Sequence, residues 1–262
     1  MTPLGIGPRD VLALTRYAQR SDTVGRPLLV TGVLAEQLAS ALSVGGDRGL
    51  VTTIGDPARA AALVRVVAGA ATPEDEAQLR AATRALVPVI AVQTGISSVR
   101  LPYVLATDVI EVPPGHGFPT DDIAEALAAA LGAEGAVLAA RLPVLRAPVE
   151  RRRALEGALA AGTLAGLTRD EGPHLAALTL GQARMLSDLS AASGAPSPRD
   201  TRAAAEAVAP SLAASVATGL LARTLVRRLP VRGRVLEAAV ATGATAALAA
   251  LAGRIGSVRS GS

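Results

Sequence analysis

The sequence predicts an α/β fold, a parallel sheet of about four to five strands with flanking helices, followed by an all-α, alanine-rich helical domain. Three observations carry this. Short apolar runs containing Val, Ile and Thr alternate with helix-type segments as far as residue 132. Beyond that point strand signals stop and Ala/Leu segments take over. Half of the 262 residues are apolar but only 1% are aromatic, so the core has to come from Leu, Val, Ile and closely approaching alanine helices.

An opening helix is expected over Pro8 to Gln19, where Val11, Leu14 and Ala18 recur at helical spacing. LLVTGV, Leu28 to Val33, reads as the first strand, and LAEQLASAL, Leu34 to Leu42, as the helix after it. GLVTTIG, Gly49 to Gly55, reads as a second buried strand. Asp56-Pro57 then has the form of an N-cap with proline at the first helical position, opening a helix from Pro57 to Ala68. Another helix is expected from Thr72 to Leu86, with Glu74, Asp75 and Glu76 suiting the dipole of its first turn. Val87 to Gly95 and Tyr103 to Val112 are two further runs of strand length, and Thr120 reads as the N-cap of a helix on Ile123, Leu127 and Leu131. The expected division is an N-terminal helix at 1–26, an α/β domain at 27–132 and a helical domain at 133–262. Within the last, Ala/Leu helices cover Ala133 to Gly166 and His174 to Ser193, and Ala195 to Asp200 is the linker-like break.

All 26 basic residues are arginine, and lysine, asparagine and cysteine are absent. Disulfides, thiolate metal sites and cysteine nucleophiles are thereby excluded. The first residues lack the charged and apolar regions of a cleaved secretory signal, so a cytoplasmic start is expected. Net charge is +4, yet residues 196–262 carry nine Arg against three acids. Such asymmetry points to an anionic membrane or a nucleic acid, and the lack of aromatics in this tail disfavours the second. The tail has an apolar hairpin at 203–253. Two arms, Ala203 to Ala222 and Val235 to Gly253, flank a loop holding Arg223, Arg227, Arg228, Arg232 and Arg234. Each arm is close to the roughly 20 residues of a bilayer span, with the arginines placed as a membrane-surface cluster. Glu206, Glu237, Pro210 and the weak lipid preference of alanine argue instead for a hairpin packed on a soluble bundle. Both readings stand at this level.

LPYVLATDVIEVPPGHGFPTDDIAEALAAAL (Leu101 to Leu131), LAARLPVLR (Leu138 to Arg146) and LTLGQARMLSDLSAASG (Leu178 to Gly194) resemble the actinobacterial branch of the YcjF-like family of GTPase-associated membrane proteins. The resemblance covers roughly residues 27 to 255. It implies a degenerate Ras/Era-like GTPase domain followed by a helical, membrane-associated domain. Where relatives often have an asparagine and a Gly-Asp-Leu-Pro turn, this chain has Glu156-Gly157 and Glu171-Gly172-Pro173-His174.

GTPase chemistry can be tested against the residues. The turn Thr31 to Leu38 lacks the second glycine and the lysine of a phosphate loop and places Glu36 where charge repels phosphate. Ala91 to Gly95 stands where a guanine-reading Asn-Lys-x-Asp would be, without either residue type to supply it. A residual anion or nucleotide site is assigned to Thr31, Gly32, Asp108, Gly115, His116 and Gly117, because helix N-termini and loops beyond parallel strands are where anions and ligands bind. His116 and His174 lack metal-ligand spacing, Ser97-Ser98 has no recognisable base, and Arg151-Arg152-Arg153 reads as a solvated face or a contact for lipid phosphates. No catalytic residue and no metal is assigned. The expectation is a non-enzymatic, membrane-associated protein acting through a protein partner, self-association or membrane lipid at the cytoplasmic membrane. The alternative is a soluble cytoplasmic GTP- or ATP-binding protein or hydrolase with an arginine-based phosphate site.

Overall fold

Leu28–Gly32 forms strand β1 because its first four residues are buried, the texture of a strand inside a parallel sheet. The computed structural model describes residues 25–95, 99–167 and 171–192, and in the C-terminal stretch 209–210, 213–217, 224, 239–247 and 249–250. The expected helix at Pro8 to Gln19 lies outside these residues, as does most of the 203–253 hairpin. The chain divides into two compact units, Val24–Val149 and Met1–Thr23 with Glu150–Ser262.

In the first unit β1 leads to helix α1 (Ala35–Leu42), β2 (Val51–Thr52), β3 (Ala62–Ala68), α2 (Pro73–Arg84), β4 (Val89–Thr94), β5 (Val109–Val112), α3 (Thr120–Ala130) and α4 (Glu134–Arg141). The strands form one all-parallel sheet in the order β2-β1-β3-β4-β5. The α/β class is therefore as expected, with the order of strands reversing at the β1–β3 junction.

Several elements differ from expectation, each for a local reason. The helix expected over Pro57 to Ala68 does not form. Asp56 caps only a three-residue 3-10 turn, Pro57–Arg59, and the chain then becomes β3, paired with β1 and β4. Val64, Val66 and Val67, β-branched and buried on both faces, outweigh the helix preference of the preceding alanines. The second strand shrinks to Val51–Thr52 because Asp47 accepts the Gly49 amide and turns Arg48–Leu50 into a 3-10 helix. The strand expected from Tyr103 starts at Val109, since Tyr103 is left-handed (φ 64°) and Ala106–Asp108 is another 3-10 turn. Thr120 is the first residue of α3 rather than its cap, which is Pro119. The helix expected from Ala133 is divided at Leu142 (φ −118°, ψ 98°), in keeping with the bias of a residue before proline away from helix. Here α4 is held to the sheet unit by Arg26 to Glu134 and by Arg141 to Asp47, whose carboxyl lies below its ordinary range through the Gly49 amide and Arg141.

Helix α5 (Pro143–Leu167) begins within the first unit in sequence, and α6 (Glu171–Ala192) belongs to the second. In that second unit Gly157 lies so near Met185 that an added Cβ would come within 2.3 Å of its sulfur. Arg153 joins Glu156 at 3.0 Å and Asp188 at 3.7 Å, and Arg152 joins Glu156 at 2.8 Å. These two arginines are thus committed to carboxylates of their own unit.

The least expected feature of the sheet is Arg65, in the middle of β3 and 5% exposed. Thr31, Arg65, Ala91 and Val109 are register partners and point to the same face. On that face α2 packs Leu79 and Ala82 over Leu29 and Leu63. The Arg65 guanidinium donates from Nε to Asp75 Oδ1 at 2.7 Å, from Nη1 to Gln78 at 2.9 Å, and pairs through Nη2 with Asp75 at 2.6 Å. Asp75 Oδ2 accepts the Thr72 amide and hydroxyl, completing a capping box that starts α2. Burial opposes ionisation of Asp75, but the Thr72 donors and Arg65 outweigh it and hold the carboxyl below its ordinary range. The folded protein therefore takes up this proton less readily than the unfolded chain. The stability that Asp75 confers is complete above the unfolded value of 3.8 and is lost as pH falls through the lower folded value. Arg65→Met should lower stability by about 3 to 5 kcal/mol by stranding a buried carboxylate, and adding Asp75→Leu should recover much of the loss. Urea unfolding from pH 2 to 7 checks both points, with Asp75→Asn expected to flatten the acid limb.

Candidate functional site

In an open parallel sheet, ligands bind beyond the carboxyl ends of the strands, near the point where strand order reverses. Here that point is the end of β1 beside β3. Gly32 (φ 101°) sits so close to β3 that a Cβ would lie 2.0 Å from the Val66 carbonyl oxygen, and the next amide, Val33 N–H, donates to that oxygen at 3.2 Å. The glycine is required by sheet packing. Beyond it Val33 and Leu34 are half exposed and Leu34 is left-handed, giving α1 no side-chain cap. Glu36, in the first turn of α1, accepts the Thr53 hydroxyl at 2.7 Å. Two apolar side chains and a carboxylate thus occupy the turn where phosphate would have to approach. Thr31 points with Arg65 toward the α2 layer, and its buried hydroxyl has no hydrogen-bond partner.

The remaining residues of the expected site are elsewhere. Gly115, His116 and Gly117 form an exposed turn after β5, with His116 N–H donating to the Pro113 carbonyl and Nδ1 lying 3.3 Å from the Pro114 carbonyl oxygen. Strands β3 and β4 lie between β5 and β1, so this turn is roughly 14 Å from Gly32 at about 4.8 Å per strand. Asp108 precedes β5 at its amino end and accepts the Thr107 hydroxyl at 3.2 Å. The six residues therefore do not converge. Arg223, Arg227, Arg228, Arg232 and Arg234 lie outside the described residues. Among the described residues there is no metal-type cluster of His, Asp and Glu.

A cleft that the sequence did not reveal opens on the α2 side of β4 and β5, with a volume of about 540 Å³, within the roughly 300 to 1,000 Å³ of small-ligand sites. Its floor holds Gln93 and Glu111, register partners on one face, and Val109. Its outer wall is the segment from Val99 to Ala106. Both ends of that wall are pinned. The Gln93 side-chain amide donates to the Gly69 carbonyl at 2.8 Å and to the Val99 carbonyl at 3.2 Å. At the other end the left-handed Tyr103 takes the Thr83 hydroxyl on its carbonyl and Arg80 Nε on its phenol oxygen, with the Arg80 guanidinium 5.2 Å from the ring centre. Leu101, 3% exposed, packs on Val67 and Ala91 beneath the wall. The polar interruptions in VIAVQT and VIEV were visible in sequence; that they are neighbours depends on strand register.

No family model, curated protein or solved structure matches the chain. The structure has a five-stranded parallel α/β unit with a closed switch point and a cleft over β4 and β5, and a helical unit.

Two substitutions separate packing from ligand roles at β1. Thr31→Val should leave thermal stability equal or higher, since it removes an unpaired buried hydroxyl at constant shape. Gly32→Ala should lower stability by at least about 2 kcal/mol through backbone collision and strain. Thermal melts followed by circular dichroism read both.

Proposed function

We propose that the chain is a non-enzymatic, membrane-associated protein whose degenerate GTPase-like α/β unit and alanine-rich helical unit work through association with a protein partner or a second copy. The observation that carries the non-enzymatic part is the turn after β1. It presents Val33, Leu34 and Glu36 in a chain without lysine, where phosphate transfer needs a ring of amides, a lysine and a magnesium ligand. Exposed apolar side chains support association, with Ile54 at 89% on the loop after β2, and Leu155 and Leu159 one turn apart on α5. The membrane part rests on the apolar, basic, apolar pattern of residues 203–253. Among the described residues no helix is long and apolar enough to cross a membrane.

Equilibrium dialysis of the full-length protein with magnesium-GTP and magnesium-ATP tests the non-enzymatic reading. No saturable binding and no hydrolysis above buffer is the expected result, and Glu36→Gln should not create either. Saturable, magnesium-dependent binding would replace this reading with that of a nucleotide-binding protein. Gly32 is unsuited to that test, because altering it disturbs the sheet.

A further inference from the structure

The cleft over β4 and β5 has a chemistry independent of the β1 turn. The Gln93 amide nitrogen donates to two backbone carbonyls, which leaves its Oε1 as an acceptor on a residue that lines the cleft. Glu111, its neighbour on β5, adds a carboxylate on the same face. Arg100, in the wall, also lines the cleft. Among the described residues neither Arg100 nor Glu111 has an ion-pair partner, and both are exposed. Between these groups Leu101, Val104 and Val109 provide an aliphatic surface.

We propose that this cleft binds a small aliphatic zwitterion, a free branched-chain amino acid or a short peptide of such residues. Arg100 and Glu111 both line the cleft, so a ligand carrying both charges can meet both, and a ligand with one charge leaves the other unmatched. The ammonium has two acceptors available at Gln93 Oε1 and Glu111, the carboxylate has the Arg100 fork, and the side chain has the aliphatic surface. A polyanion is disfavoured by Glu111 and has a single arginine to meet it. The pinned wall makes the cleft preformed, and the left-handed conformation of Tyr103, a bulky residue, is local strain of the kind that gathers at ligand sites.

Isothermal titration of the full-length protein with L-leucine, L-leucyl-L-leucine, 3-methylbutylamine and 4-methylpentanoate tests the proposal. One or both zwitterions should bind, the tighter one naming amino acid or peptide as the source, with the amine and the acid at least about tenfold weaker. Arg100→Gln and Glu111→Gln should each weaken the zwitterion about tenfold at unchanged melting temperature. The proposal fails if neither zwitterion binds at about 10 mM, above the millimolar range of weak specific sites. It fails equally if singly charged analogues bind as well, or if both substitutions leave affinity unmoved.

Discussion

The pairing of Arg65 with Asp75 is the interaction on which the α/β unit depends. A guanidinium in the central strand of a parallel sheet is tolerable only if its charge and its donors are met, and Asp75 and Gln78 meet them from the first turns of α2. Because Asp75 also closes the capping box with Thr72, one carboxylate both starts the helix and fixes where it lies on the sheet. With α2 packed on β3 and the near end of β4, the same face toward β5 is left to the Val99–Ala106 segment, and the cleft lies there.

Much of this unit was legible in the sequence where local preference and tertiary demand agree. Leu28–Gly32 and Val89–Thr94 are apolar, β-branched and buried, and they are strands; Thr72-Pro73 with acids after it begins a helix. β3 was not legible, because alanines precede it and an arginine interrupts it, and both features suit a helix. Arg65 becomes intelligible as a strand residue only with its partner ten residues on. Similarly, Tyr103 looks like the start of a strand until the contacts of its backbone and phenol with α2 are known. The expected phosphate-site residues failed to converge for a topological reason, namely that β3 and β4 separate β1 from β5.

Gly32 illustrates how a glycine in a place that invites a functional reading can answer to packing alone. A glycine after the first strand invites a phosphate-loop reading, yet the Val66 carbonyl accounts for it fully. Around it the exposed side chains are apolar or acidic. Such a surface is ill suited to phosphate. In the second unit, Gln182 donates to Thr245 at 2.6 Å and Ser215 is fully buried. Ser215 and Thr245, one from each apolar stretch, are thus both buried, and small polar groups of this kind serve helix packing in water and in lipid alike.

Fractionation of the full-length protein from its host, with carbonate and high-salt washes of the membrane pellet beside a chain ending at Ala195, is therefore the decisive measurement. Membrane association requires that the full-length protein stay in the pellet through both washes and that truncation release it. Full-length protein recovered in the soluble fraction would contradict membrane association and assign residues 203–253 to a packed helical pair.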